Sequence, residues 1–502
     1  MARGGIRLRF SGFIIFAARV ASIATGLAFQ LMVARSVTVE EYGILFNIND
    51  VIAYFTVLAG VFPFWALRFT ARAKSGSVKT GFVVNLAIAV VSSLIYLAAA
   101  SSITSALDIG REYVSLYFLA SAQIIEVYML NIFESCLQAK MPHTLGYGLM
   151  LSEVCKIVLG FVLIICFRMS LFGALVSIIV GVCVQLTYYS RLLLVNLREK
   201  VVWAYVREWL KGSTANIYYI IGQQIGAFTF IMLFIYGGEA ARSAYGASAQ
   251  IAAIVSYSSY LASALYPKLL AEHNSKDVTS ILKMVLMFAI PMAAGVLAMP
   301  DSYLAVLKIE FVEAWPVLMV LAIDSFTATL STIFSSVIYG LENLDEKASI
   351  SFKGLVKSRL FVVFTLPYIQ SAIVLPTAYY ILTTYTCGQP IPSALYIAVV
   401  NSITRFIIFL ILYKVAREMT EICIPWRNIV KYVFASTVMA SILYMIPHPT
   451  RLSLTLGVTA LGATIYFTIL MAIDREAKSL LWSGINEIKR NLHISCSPMK
   501  AS

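Results

Sequence analysis

The chain has 502 residues, of which 60% are hydrophobic and only 13% charged, with a mean hydropathy of +0.84. A soluble domain carries about 25% charged residues, so this composition excludes a soluble enzyme, a secreted disulfide scaffold and a disordered hub, and leaves an all-α polytopic membrane protein. The formal net charge of +13 fits either nucleic acid or cytoplasmic loops rich in Lys and Arg, and the positions of the charges decide between them.

Apolar windows of about 20 residues predict fourteen transmembrane helices. In chain order the first seven are Ser11–Met32, Gly43–Leu67, Gly81–Ile103, Val114–Leu137, Gly146–Phe167, Leu171–Ser190 and Ser213–Gly237. The others are Ala244–Tyr266, Ile281–Met299, Trp315–Ile338, Leu360–Thr383, Ile391–Tyr413, Val430–Ile446 and Leu452–Ile473. The N-terminal run is longer than the apolar stretch of a signal peptide and contains Arg19, so it reads as a retained first helix.

With the N-terminus in the cytoplasm, 27 of the 38 Lys and Arg fall in cytoplasmic segments, six fall outside and five lie within spans. Short loops that follow the positive-inside rule behave this way. The charge is thereby explained by a multi-pass topology in the cytoplasmic (plasma) membrane with both termini inside, and no nucleic-acid partner is needed. The predicted organisation is an N-lobe over residues 1–194, an amphipathic cytoplasmic linker over 195–212, a C-lobe over 213–413, two extra spans over 414–474 and a cytoplasmic tail over 475–502. In the linker, Trp203, Tyr205, Val206, Trp209 and Leu210 alternate with Arg207 and Lys211, the pattern of a helix lying in the lipid interface.

Seven cysteines are scattered with no C-x-x-C pair, and the four histidines lie far apart, so neither a metal site nor a redox motif is expected. No P-loop appears, which disfavours a nucleotide-driven pump. The two halves echo each other. Tyr42-Gly43 and Pro63 recur as Tyr245-Gly246 and Pro267, and Leu119-Ala120 recurs as Leu321-Ala322, at offsets of 202 to 204 residues. A duplicated six-helix unit, with a binding site between lobes near the midplane, explains the constant offset.

The stretch Ala34-Arg35-Ser-Val-Thr-Val-Glu-Glu-Tyr-Gly43, with Val61-Phe-Pro-Phe-Trp-Ala-Leu-Arg68-Phe-Thr-Ala-Arg72, resembles the polysaccharide (Wzx-type) flippases. These belong to the superfamily that also holds multidrug/toxin exporters and lipid II flippases. Gly237-Gly-Glu-Ala-Ala-Arg-Ser-Ala-Tyr-Gly246, Leu265-Tyr-Pro-Lys268, Ala289-Ile-Pro291 and Phe311-Val-Glu-Ala-Trp-Pro-Val317 agree, so the likeness covers about residues 10 to 470. Arg242-Ser243 departs from the small hydrophobic-Gly pair often found there. The resemblance implies two pseudo-symmetric six-helix lobes plus two C-terminal helices, with alternating access. It also implies a lipid-(pyro)phosphate-linked oligosaccharide as cargo, carried from the cytoplasmic to the outer leaflet. No cofactor is expected; H+ or Na+ are the candidate coupling ions. The expected partners are the bilayer, the lipid-linked glycan and a glycan polymerase or glycosyltransferase, around a monomeric transporter.

Moving an anionic headgroup through hydrocarbon requires cations and polar groups in a wet interior, because buried charge is costly. Arg19 and Lys156 are the candidates for phosphate, unless Arg19 snorkels to the cytoplasmic face, and Arg68 and Arg72 either catch the headgroup at the cytoplasmic side or are ordinary topogenic charge. Asn47 and Asp50 either bind sugar hydroxyls at the cavity mouth or face neighbouring helices. Gln223 and Gln224, adjacent and about 100° apart, are further substrate-binding candidates, of which at least one is expected to face the lobe interface. Glu153 and Lys156 share a helix face at i, i+3, as a local ion pair or as a proton carrier beside a substrate cation. Glu126 has no cation on its own helix and is the second ion-coupling candidate, unless it pairs with Lys156. Asp324 and Arg405 are expected to form a structural ion pair. Lys283 and Lys431, near span ends, read as snorkelling anchors. Pro63, Pro267, Pro291, Pro367 and Pro376 mark sites of helix bending. A cation-coupled drug exporter of the same superfamily is the nearest rival function. A membrane glycosyltransferase is disfavoured by outer loops too short to hold catalytic residues.

Overall fold

A computed structural model of the protein describes residues 22, 25–262, 276–341, 359–474 and 476. Among these residues every regular element is helical. The first is α1 (residues 25–36), followed by α2 (Val39–Phe55) and α3 (Val61–Ala71), joined by a 3-10 turn over Val57–Gly60. Then come α4 (Ser77–Ala106), α5 (Val114–Lys140), α6 (His143–Gly160) with a π-helical extension over Phe161–Cys166, and α7 (Ser170–Leu192). The short helices α8 (Leu194–Leu197) and α9 (Trp203–Gly212) lead to α10 (Thr214–Ser256). The rest are α11 (Lys276–Ala298), α12 (Pro300–Leu307), α13 (Trp315–Leu341), α14 (Arg359–Thr384), α15 (Pro390–Met419), α16 (Trp426–Met445) and α17 (Leu452–Ile473). Eleven described helices are long and apolar enough to cross a membrane, or twelve if the bent pair α2 and α3 counts as one span.

As far as the described residues reach, these helices coincide with the predicted spans from the second to the fourteenth; the first half of the first span, residues 263–266 of the eighth, and Pro267 lie outside the described residues. The seventh and eighth are merged in α10, whose 43 residues amount to about 65 Å at 1.5 Å per residue. That is twice the roughly 30 Å of a hydrocarbon core, and the helix breaks at Gly238 (φ 82°, ψ 172°), one residue past the predicted end of the seventh span. The second span bends by 60° between α2 and α3. The bend lies at Thr56–Gly60, ahead of Pro63, which sits in the first turn of α3 where a missing N–H breaks no bond.

The chain groups into two compact units, Met1–Gly246 with Leu344–Val400, and Ala247–Asn343 with Asn401–Ser502. In the first, α4 packs on α5, α6 on α7, and α5 on both α3 and α7. Its interior holds Tyr96, Tyr117, Tyr128 and Tyr189, each fully buried. Their hydroxyls find backbone carbonyls or polar side chains, as buried phenols require: Tyr96 donates to Tyr117 O at 2.8 Å and Tyr189 to Leu145 O at 3.1 Å. In the second unit, α16 packs on α11 and α17, and α11 packs on α13. Proline at 291 denies the Met287 carbonyl its helical N–H. The Tyr466 hydroxyl of α17 donates to that carbonyl at 2.7 Å, so the kink in α11 is satisfied by a neighbouring span. A cavity of about 260 Å³ lies beside the kink, walled by Pro291, Tyr303, Thr459 and Tyr466 among apolar residues.

The linker helix α9 differs from expectation. Trp209 is fully buried rather than lying in the lipid interface, with its ring against Phe62 and Phe69 of α3. Trp65 donates its indole N–H to Ser213 Oγ at 2.9 Å. The helix is thus docked on the end of the second span, and only Trp203 and Leu210 keep large exposed apolar surfaces. The Gly76 N–H, Ser75 (3.1 Å) and Asn196 (2.8 Å) all donate to Glu199, tying the α3–α4 turn to the linker. The predicted amphipathic tail lies outside the described residues, apart from Glu476.

Candidate functional site

The start of α2 explains part of the sequence motif around Tyr42-Gly43. Thr38 and Glu41 form a reciprocal capping box, with Thr38 Oγ1 accepting from the Glu41 N–H at 3.1 Å and Glu41 Oε2 accepting from the Thr38 N–H at 2.9 Å. A Cβ at Gly43 would collide with the backbone carbonyl of Glu239, and one at Gly246 would collide with the ring of Phe46. The two repeat-related Tyr-Gly pairs therefore mark a close crossing of α2 with the second segment of α10. Only a residue without a side chain fits there.

That crossing positions Arg242 against Asp50. The guanidinium donates from Nε to Asp50 Oδ2 at 2.6 Å and from Nη2 to Oδ1 at 2.9 Å, a bidentate fork. Phe46 and Phe230 lie at 4.8 and 5.1 Å from the same guanidinium. Both charged side chains are nearly buried, at 8% and 13% exposure. Asp50 is thereby committed to a cation 192 residues away in sequence. Asn47, one turn earlier, accepts from the Tyr117 hydroxyl at 2.5 Å. Arg242 was not among the sequence candidates; an arginine outside the cytoplasmic segments, at a departure from the resembled pattern, was the available signal.

On α6, Lys156 donates to Glu153 Oε1 at 2.7 Å, and Thr25 of α1 donates to Glu153 Oε2 at 2.9 Å. Lys156 also lies 5.3 Å from the ring of Phe29. Glu126 does not meet Lys156. It is buried in α5 and accepts from the Cys183 thiol of α7 at 3.1 Å. Arg19 lies outside the described residues.

The first segment of α10 separates the two glutamines. Gln223 is exposed and donates to the Tyr219 hydroxyl at 2.9 Å. Gln224 points elsewhere; its backbone carbonyl accepts from Tyr54 at 3.3 Å, and its buried Nε2 has no partner among the described residues. Arg68 stacks on Phe64 at 4.3 Å and on Trp65 at 5.7 Å, and Arg72 is exposed at the end of α3. In the second unit, Arg405 donates to Asp324 at 2.7 Å. Lys283 and Lys431, expected as anchors, pair with Glu476 at 2.8 Å and Asp474 at 3.2 Å. Among the described residues no cluster of three or more His, Cys, Asp or Glu is placed to hold a metal ion.

Comparison with solved structures gives the architecture its context. A lipid II flippase, MurJ, in an inward closed conformation aligns with a TM-score of 0.66 and 14% identity, over 93% of this chain and 99% of its own. An inward-facing multidrug resistance MATE family transporter aligns with a TM-score of 0.62 and 13% identity, over 79% and 95%. The chain has the fold of the MOP-superfamily transporters. A further member, from Pyrococcus furiosus, aligns with a TM-score of 0.53 and 15% identity, over 82% and 95%. These neighbours are transporters and flippases rather than enzymes. No protein-family model matches the chain, and no curated protein does.

Proposed function

We propose that the protein flips a lipid-(pyro)phosphate-linked oligosaccharide from the cytoplasmic to the outer leaflet by alternating access. The extent of the structural likeness carries this reading. The lipid II flippase aligns over 93% of the chain and the MATE transporter over 79%, a difference of about 70 residues. That difference is close to the length of the last two predicted spans with their connections, and it supports a carrier built to the extent of the lipid II flippase. The motifs around Tyr42-Gly43 and Pro63 agree with the polysaccharide branch of the superfamily.

In this reading Arg19 and Lys156 face the phosphate, and Lys156 is released by Glu153 when the headgroup arrives. Arg68 and Arg72 lie at the cytoplasmic entrance. Glu126 serves as the coupling carboxylate for H+ or Na+, since its described partner is a thiol rather than a cation. Both termini are cytoplasmic, and the cargo comes from a membrane glycosyltransferase and passes to a glycan polymerase.

One observation favours a second reading, a cation-coupled multidrug exporter. Each described intramembrane cation has a carboxylate partner: Lys156, Arg242, Arg405, Lys283 and Lys431. Within the described spans the positive charge is therefore neutralised, and Glu126 adds an acid. Depletion of the protein separates the readings. Accumulation of a lipid-linked oligosaccharide on the cytoplasmic leaflet is the flippase outcome, with an Arg19→Ala copy failing to relieve it. Unchanged lipid intermediates with raised sensitivity to lipophilic cations are the exporter outcome.

A further inference from the structure

The first segment of α10 carries a feature that phosphate chemistry leaves unused. One face belongs to α14: Tyr368 stacks on Tyr218 at 4.5 Å, donates to its backbone carbonyl at 2.6 Å, and fills the space beside Gly222. A second face is apolar and exposed, with Ile221, Ile225 and Phe228 each about two-fifths accessible. A third carries Asn216, Tyr219, Gln223 and Phe230 at helical spacing. At 100° per residue the second and third faces point roughly 170° apart.

A membrane helix turns its exposed apolar stripe to the acyl chains. An exposed amide on the opposite side faces the protein interior, because hydrocarbon offers it no partner. Gln223 is such an amide. Among the described residues its one side-chain partner is the Tyr219 hydroxyl, which leaves an acceptor oxygen and a second N–H for a ligand. The ring of Tyr219 is braced by Phe364 at 5.4 Å. The stripe ends at Phe230, against an Arg242 whose charge Asp50 already occupies. Among the described residues no uncompensated cation lies along it.

A braced aromatic face beside a donor–acceptor amide, with no net charge, suits a pyranose ring. The C–H face of the sugar lies on the ring's negative face, and its hydroxyls meet the amide. We propose that Tyr219 and Gln223 form a sugar subsite for the glycan of the cargo, separate from the groups that meet its phosphate. This rests on the flippase reading.

The test uses the full chain in lipid nanodiscs and two probes, a polyprenyl pyrophosphate and the same lipid carrying one N-acetylhexosamine on that pyrophosphate. Wild type binds the sugar-bearing lipid more tightly. Tyr219→Ala and Gln223→Ala each weaken that binding by about tenfold and leave the bare lipid within about twofold. Tyr219→Phe retains the ring against Phe364 and stays within about threefold of wild type for both, which separates loss of the platform from loss of fold. Equal effects on the two lipids, no effect on either, or equal wild-type affinity for both overturn the subsite and leave the flippase reading standing. Failure of wild type to bind either lipid, with binding of tetraphenylphosphonium, overturns the flippase reading and the subsite with it.

Discussion

Replacing either member of the Asp50–Arg242 pair strands a charge. The two side chains are 13% and 8% exposed and share two short hydrogen bonds, and the guanidinium packs against the rings of Phe46 and Phe230. Removing one partner of a buried pair costs about 3–5 kcal/mol, whereas replacing both with apolar groups of similar size is often close to neutral. Asp50→Leu and Arg242→Met are therefore each expected to destabilise by about 3–5 kcal/mol, and the double variant by much less than their sum. Methionine keeps packing atoms against Phe46 and Phe230 while removing the charge. Thermal unfolding of the four proteins in one detergent closes a double-mutant cycle, with an expected coupling of at least about 2 kcal/mol. Additive effects within about 0.5 kcal/mol refute the reasoning and make Asp50 available to bind substrate.

Three further predictions follow from local geometry. Tyr466→Phe leaves the Met287 carbonyl unpaired and costs about 1–3 kcal/mol; in a Pro291→Ala background, where the helical N–H returns, the thermal shift shrinks. Gly43→Ala places a Cβ on the backbone of Glu239 and is expected to lower the unfolding temperature more than Gly246→Ala, whose clash is with the ring of Phe46. The hydrogen bond from the Gly76 N–H holds the Glu199 carboxyl below the usual glutamate range, opposed by its burial and aided by Asn196 and Ser75. A depressed carboxylate contributes stability above its unfolded pKa of about 4.3 that is lost as pH falls through the folded value. A Glu199→Gln variant is expected to lose that acid limb at a cost under about 1 kcal/mol at neutral pH, since the site is largely solvated; unfolding scans between pH 3 and 7 measure it.

The spans were legible because twenty apolar residues and a bias of Lys and Arg are one-dimensional signals. The Tyr-Gly repeats were legible for the same reason, although their role as a helix crossing was not. The capping box is a local pattern, Thr38 with Glu41 three residues on, and is readable in the sequence. The commitment of Asp50 to Arg242 was hidden, since the partners stand 192 residues apart and either suits solvent or substrate equally well. The linker misled for a related reason. Amphipathic spacing says that one face of α9 is covered without saying by what, and α3 covers Trp209 where lipid was expected. The Tyr466–Met287 bond shows the converse: a proline announces an orphaned carbonyl, and only the packing of α17 says what answers it.

Transbilayer movement of the cargo tests the central claim most directly. The purified protein is reconstituted in liposomes with a polyprenyl-pyrophosphate oligosaccharide labelled on its glycan, and a membrane-impermeant quencher reports the outer leaflet. The account predicts that the labelled lipid exchanges between leaflets faster than in protein-free liposomes, and that Tyr219→Ala slows the exchange. Exchange no faster than in protein-free liposomes, with the same preparation moving a lipophilic cation, contradicts it.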